Sequence, residues 1–190
     1  VRGRAKYVLE DYSGAIVDFT KAIEINPEYE AAYALRGDAK FELEDYSGAI
    51  ADYTKAIEIN PEYDIHYSDR GAAKYNLEDY SGAIADYTKA IELDPGYVGA
   101  YSLRGTAKYN LEDYSGAIAD YTKAIELDPE YDIHYSDRGD AKYNLEDYSG
   151  AIVDYTKAIE INPEYEAAYA LRGDAKYVLE DYSGAIADYN

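Results

Sequence analysis

Any chemistry in this chain would have to come from carboxylates and two histidines, because its 190 residues include 39 Asp and Glu, His66 and His134, and no Cys. Both histidines sit in the octapeptide Asp-Ile-His-Tyr-Ser-Asp-Arg-Gly, which sets His66 one helical i, i+3 step from Asp69. That step suits a hydrogen-bonded pair or half of a metal site. The histidines lie two repeats of the sequence apart, and helices stacked at ~8–10 Å would hold them ~20 Å or more from each other. They therefore share no ion; a structural role for each is the favoured reading, with a pH switch at a carboxylate-paired histidine as the lesser one. The absence of Cys removes disulfides and thiolate ligands and leaves the compartment open. No Gly-x4-Gly-Lys-Ser/Thr loop, His-Glu-x-x-His or Gly-x-Ser-x-Gly run is present. Ser47 and its copies stand beside Gly48 with no base in reach. No residue is assigned a catalytic, cofactor-binding or metal-binding role, no cofactor is expected, and the chain reads as a non-enzyme.

The formal net charge is −21, from 39 acidic against 18 basic side chains. A surface this acidic repels phosphate backbones and anionic headgroups, which excludes nucleic acid and membrane surfaces as partners. No apolar run approaches the ~18 residues a membrane span needs, and the start of the chain carries no signal-peptide pattern. The cytoplasm is the default compartment.

A repeat must position these side chains. Leu43-Glu44-Asp45-Tyr46-Ser47-Gly48-Ala49-Ile50 returns at Leu9, Leu77, Leu111, Leu145 and Leu179, always at a spacing of 34 residues. One repeat domain is expected over 1–190, with units 30–63, 64–97, 98–131 and 132–165 between truncated units at 1–29 and 166–190. The chain is expected to be a piece of something longer. In the unit 30–63, Tyr33, Arg36, Gly37, Ala39, Lys40 and Leu43 recur at the three- and four-residue steps of a helical face. Tyr46, Ala49, Ile50, Tyr53, Ala56 and Ile57 repeat that spacing in a second helix, with Asp45 as its N-cap. Asn60-Pro61 ends it, because the residue before Pro is pushed out of the α region.

Period and letters together resemble the tetratricopeptide repeat, whose pattern Trp-x2-Leu-Gly-x2-Tyr, Ala-x3-Phe, Pro is met by Gly37, Ala49 and Pro61, with Tyr33 for the Trp and Tyr53 for the Phe. Arg36 departs from the pattern's Leu and Lys40 from its Tyr. The resemblance implies an all-α, right-handed superhelical solenoid of antiparallel helix pairs. Glu44 and its copies stand where the family commonly closes the first helix with Gly. A non-Gly residue at positive φ costs of order 1 kcal/mol, so a turn avoiding positive φ is expected.

Arg36 occupies a family position that is normally an apolar contact, and Asp52 adjoins Tyr53 on the facing helix. A buried Arg without a counter-ion would cost several kcal/mol, so Arg36/Asp52, Arg70/Asp86, Arg104/Asp120 and Arg138/Asp154, together with Arg2/Asp18 and Arg172/Asp188, are expected to be structural pairs.

Otherwise near-identical units differ along one first-helix stripe. By the resemblance, this stripe lines a concave groove that holds peptides. The candidate groove residues are Asp38, Phe41, Glu42, Ser68, Tyr75, Asn76, Ser102, Thr106, Tyr109, Asn110, Ser136, Asp140, Tyr143, Asn144, Asp174 and Tyr177. Many peptide-binding relatives grip acidic chain ends with Lys, Arg and Asn; with no Lys in this stripe, a protein or peptide partner should be basic or neutral and should stack on Tyr. The expected function is a protein-interaction scaffold. The alternative is a self-assembling structural solenoid, or a synthetic repeat array without an evolved ligand. Apolar faces left open at both ends predict head-to-tail association of copies.

Overall fold

In the computed structural model, which describes residues 2–190, the sequence pattern becomes twelve α-helices and no strand among the described residues. Each repeat contributes a first and a second helix: α1 (Arg2–Val8) and α2 (Tyr12–Ile25), α3 (Glu30–Glu42) and α4 (Tyr46–Ile59), α5 (Asp64–Asn76) and α6 (Tyr80–Leu93), α7 (Val98–Asn110) and α8 (Tyr114–Leu127), α9 (Asp132–Asn144) and α10 (Tyr148–Ile161), α11 (Glu166–Val178) and α12 (Tyr182–Tyr189). By packing, the chain divides into two compact units, one ending at Ala100 and the other beginning at Tyr101. In the first, α3 packs on α2 and α4, α5 packs on α4 and α6, and α3 also touches α5. In the second, α9 packs on α8 and α10, α11 packs on α10 and α12, and α9 touches α11. Each is thus a stack of helix hairpins whose first helices are neighbours along one face.

The link from α3 to α4 is three residues long and reverses the chain through positive φ. Glu44 has φ 60°, and Glu10, Glu78, Glu112, Glu146 and Glu180 match it at 60–63°. This corrects the expected avoidance of the left-handed region. The Asp45 N–H bonds the Lys40 carbonyl and the Glu44 N–H bonds the Phe41 carbonyl, both at 2.9 Å, which is the Schellman closure with Glu in the place Gly prefers. Asp45 must at once receive that closure and cap α4, accepting from the Gly48 N–H at 3.0 Å. With only Leu43 and Glu44 to turn the chain, no conformation at negative φ serves both ends. Gly48 is needed for the same reason, since a Cβ there would lie 2.1 Å from Oδ2 of the Asp45 carboxylate whose Oδ1 makes the cap.

Alanines let the hairpins approach. Ala49, Ala56, Ala73 and Ala90 are 0% exposed, and Ala49, Tyr53 and Ala73 form one cluster, with Phe41, Tyr46 and Ile50 packed against it. The Tyr53 ring packs against Gly37, where a Cβ would come within 2.7 Å of it.

At the centre of each hairpin is a buried carboxylate. Asp52, 3% exposed, accepts from Arg36 Nε at 2.9 Å and Nη2 at 2.6 Å, and Lys40 Nζ meets its second oxygen at 2.7 Å. The third guanidinium nitrogen reaches back a repeat to Thr20 Oγ at 3.1 Å, and the guanidinium lies over the Tyr33 ring. The arrangement recurs at Asp86, Asp120, Asp154 and Asp188 with Arg70/Lys74, Arg104/Lys108, Arg138/Lys142 and Arg172/Lys176. Arg2 and Lys6 likewise flank Asp18, whose carboxyl Arg2 holds down at about 2. Burial alone would push Asp188 up, yet Arg172 and Lys176 hold it below the ordinary carboxylate range. Such groups stabilise the fold above the unfolded carboxylate pKa, and that contribution is lost as pH falls through the lowered value.

The sequence reading had no role for Lys40. Its i, i+4 step from Arg36 puts both cations on one helical face, around a single carboxylate. Arg70→Met should therefore cost only ~1–2 kcal/mol while Lys74 still holds Asp86. Removing both cations should strand the carboxylate at ~3–5 kcal/mol, and adding Asp86→Leu should recover most of the loss. Urea unfolding of the set measures this, and additive losses would contradict it.

Candidate functional site

The expected groove residues lie on the first helices, which present their far side from the second helices as one face in each unit. In the first unit, a hollow of about 410 Å³ is lined by Tyr7, Asp38, Phe41, Glu42, Tyr53 and Asp69. A neighbouring cleft of about 370 Å³ shares Asp38 and Asp69 and reaches Tyr63 and His66, with Arg4 at one edge. In the second unit, Thr106, Tyr109, Asn110 and Asp140 line one hollow of about 200 Å³, and Tyr109, Asp140, Tyr143, Asn144 and Asp174 line another of the same size.

Each column of the stripe has a distinct structural job. The aromatic column stacks edge-on against the start of the next helix: Phe41 on Tyr46, Tyr75 on Tyr80, Tyr109 on Tyr114, Tyr143 on Tyr148 and Tyr177 on Tyr182, at centroid distances of 5.0–5.4 Å. Asn76 and Asn110 donate to the carbonyls of Ala72 and Thr106, while Asn144 donates both to the Asp140 carbonyl and, across the repeat, to the Tyr109 hydroxyl at 2.9 Å. Asp38 accepts from Tyr53 OH at 2.9 Å, Asp140 from Tyr155 at 2.8 Å and Asp174 from Tyr189 at 2.7 Å, and Thr106 shares a bond with Tyr121 at 3.1 Å. Variation in this column is therefore tied to a tyrosine of the core. Position 72 is Ala, and the buried Tyr87 hydroxyl opposite it has no hydrogen-bond partner among the described residues. Ser102 is half-buried, its carbonyl accepting from Thr106. Ser68 and Ser136 are 3% and 2% exposed and so give the face no accessible surface; Ser68 lies within 3.3 Å of the Tyr97 hydroxyl.

The residues that change this face most were not among the expected ones. Position 35 is Leu, as are 103 and 171, but 69 and 137 are Asp. Both aspartates are half-buried and have no hydrogen bond or ion pair among the described residues. Burial, and then the charge of Asp38, push the Asp69 carboxyl up to about 7; burial and Asp140 do the same to Asp137. Asp38 and Asp140 are themselves raised, chiefly by burial. A raised acid holds its proton more tightly in the folded chain. Its contribution is therefore complete below the ordinary carboxylate pKa of ~4 and is lost as pH rises through about 7.

His66 does not pair with Asp69. Its Nε2 meets Glu30 of the preceding first helix, its ring stands edge-on to Tyr63 at 4.7 Å, and its buried Nδ1 has no partner among the described residues. His134 stands the same way against Tyr131, and burial pushes its pKa down.

Stacked helix hairpins closed by Asn-Pro and Asp-Pro turns, with a first-helix face of alternating residues, define a helical-repeat interaction array. The family comparison gives this class its name: the chain belongs to the tetratricopeptide repeat family, whose signature matches residues 66–97 and 98–131, with a related TPR repeat signature at 37–78 and 139–179. Proteins of this family generally mediate contacts between proteins. No curated protein sequence matches the chain. Among solved structures, the C-terminal part of a TPR repeat-containing protein from Cytophaga hutchinsonii superposes with a TM-score of 0.88 at 21% identity, over 99% of this chain and 75% of that one. YrrB, described as a TPR protein with an unusual peptide-binding site, gives 0.76 at 23% identity, over 90% and 88%. The first TPR of Spaghetti (RPAP3), bound to the HSP90 peptide SRMEEVD, gives 0.61 at 25% identity, over 62% and 94%. No helix of the described residues is long and apolar enough to cross a membrane.

The orphaned Tyr87 hydroxyl makes the tyrosine column testable. Tyr155→Phe should cost ~1–2 kcal/mol by leaving Asp140 unbonded, whereas Tyr87→Phe should be neutral or stabilising, and Ala72→Thr should stabilise by up to ~1 kcal/mol. Equal losses for the two Tyr→Phe changes in denaturant unfolding would contradict this account.

Proposed function

We propose that the chain is a non-enzymatic interaction scaffold whose first-helix face takes a basic peptide segment. The observation that carries this reading is the unpaired, half-buried carboxylate at Asp69 and again at Asp137, each raised to about 7 beside a second aspartate and open to a tyrosine-lined hollow. Two like charges held out of water destabilise the fold, and a Lys or Arg from a partner relieves both terms at once. The peptide on the Spaghetti repeat ends in acidic residues; the face of this chain has the opposite preference.

A lysine-rich peptide should therefore outbind an acidic one of equal length, with affinity falling as salt rises. Binding should also weaken several-fold between pH 8 and pH 6, as Asp69 and Asp137 take up protons, and the double variant D69N/D137N should lose that pH dependence. Fluorescence anisotropy reads all of these, and equal binding of basic and acidic peptides would overturn the reading.

A further inference from the structure

We propose that the segment taken by the first-helix face of the second unit is a proline-rich basic strand in the polyproline II conformation. This rests on the basic-peptide reading above and adds the partner's backbone geometry and periodicity.

The two hollows of the second unit have the same volume, about 200 Å³, and share Tyr109 and Asp140. The Tyr109 ring therefore partitions them, giving one small hollow per repeat, each floored by a buried tyrosine, Tyr121 or Tyr155. A helix ~10 Å across needs a continuous apolar trough and cannot enter hollows divided in this way. An added β-strand needs a sheet edge to pair with, and the face consists of helices whose backbone groups are already bonded internally. A polyproline II strand needs neither, because it makes no internal hydrogen bonds and presents its carbonyls outward.

The spacing fits as well. Adjacent first helices that touch, as α9 and α11 do, lie ~8–10 Å apart, and three residues of polyproline II rise ~9 Å. One turn of such a strand then advances one repeat, and a proline at every third position would seat a ring in each successive hollow. Donors for its carbonyls stand along the same column. The Tyr109 hydroxyl accepts from Asn144 Nδ2 at 2.9 Å, which leaves its own hydrogen to donate outward. The third residue of each triplet falls to the acidic side, where Asp137 lies unpaired and Asp140 and Asp174 hold their tyrosines. Proline also limits the ordering cost of an otherwise flexible ligand.

The test compares labelled peptides of equal length and charge: three repeats of Lys-Pro-Pro, of Lys-Ala-Ala and of Lys-Gly-Ser, together with Lys-Pro-Pro-Pro-Lys-Pro-Pro-Pro-Lys, whose four-residue period breaks the register. Anisotropy should show the Lys-Pro-Pro peptide binding about tenfold or more tightly than the other three. Tyr109→Ala and Tyr143→Ala, with helicity checked by circular dichroism, should abolish that preference while leaving the weaker salt-sensitive binding in place. Equal or tighter binding of the alanine, glycine-serine or four-period peptide would overturn the inference and leave the basic-peptide reading standing. Failure of every basic peptide to bind would overturn both.

Discussion

The buried aspartate at the centre of each hairpin is the constraint on which the other features depend. Asp52, at 3% exposure, is tolerable only because Arg36 and Lys40 converge on it, and each cation comes from the helix facing its own. The same Arg binds Thr20 of the preceding repeat, so one side chain fixes the register within a hairpin and between hairpins. Identical geometry at Arg70, Arg138 and Arg172 means that this register is set again at successive interfaces within each unit. Stability of such an array is a sum of local terms, and an ionic lock that recurs protects each interface separately.

That lock also decides where the protein's charge lies. The chain has 18 basic side chains, and six Arg and six Lys are engaged around the six hairpin aspartates, four of them buried. Lys55, Lys89, Lys123 and Lys157 pair with glutamates three residues on along the second helices. Apart from Arg4 at the edge of the first unit's cleft, cations are thus committed to the hairpin interior and to the second-helix side, and the first-helix face is acidic by remainder. Net charge alone excludes partners; its segregation by these pairs gives the exclusion a direction.

Much of this was legible in the letters, for identifiable reasons. Helix boundaries followed from Asp45 and Asn60-Pro61, because capping and proline sterics are local. The Arg36 and Asp52 set stood out because both recur at every repeat and one of them violates an apolar position. Lys40 shows in the letters as a recurring member of the Arg36 face and a mismatch to the family pattern; its role depends on Asp52 converging from another helix, which no one-dimensional pattern displays. Glu44 was misjudged because a cost of ~1 kcal/mol at positive φ was weighed alone, when the three-residue link and the double duty of Asp45 impose it. Asp69 and Asp137 were passed over although the exchange of Leu for Asp at their position is the largest chemical change between repeats. The i, i+3 step makes Asp69 a partner for His66 along one helix, whereas His66 turns to Glu30 on the neighbouring one.

The alternation at that position then acquires a physical meaning. Leu35 and Leu171 pack against the core of their hairpins, and an aspartate in the same place removes that packing and sets a second carboxylate beside Asp38 or Asp140. Both changes destabilise the fold, and among the described residues no hydrogen bond or ion pair at Asp69 or Asp137 offsets them. A repeat array can carry such a burden if the units that bear it are flanked by units that do not, since each interface contributes separately. The aspartates occur in 64–97 and 132–165, with the leucine-bearing unit 98–131 between them in sequence. Placing the unfavourable charge in every second unit keeps an array of near-identical hairpins stable while giving its face the one chemical feature that a uniform repeat would lack.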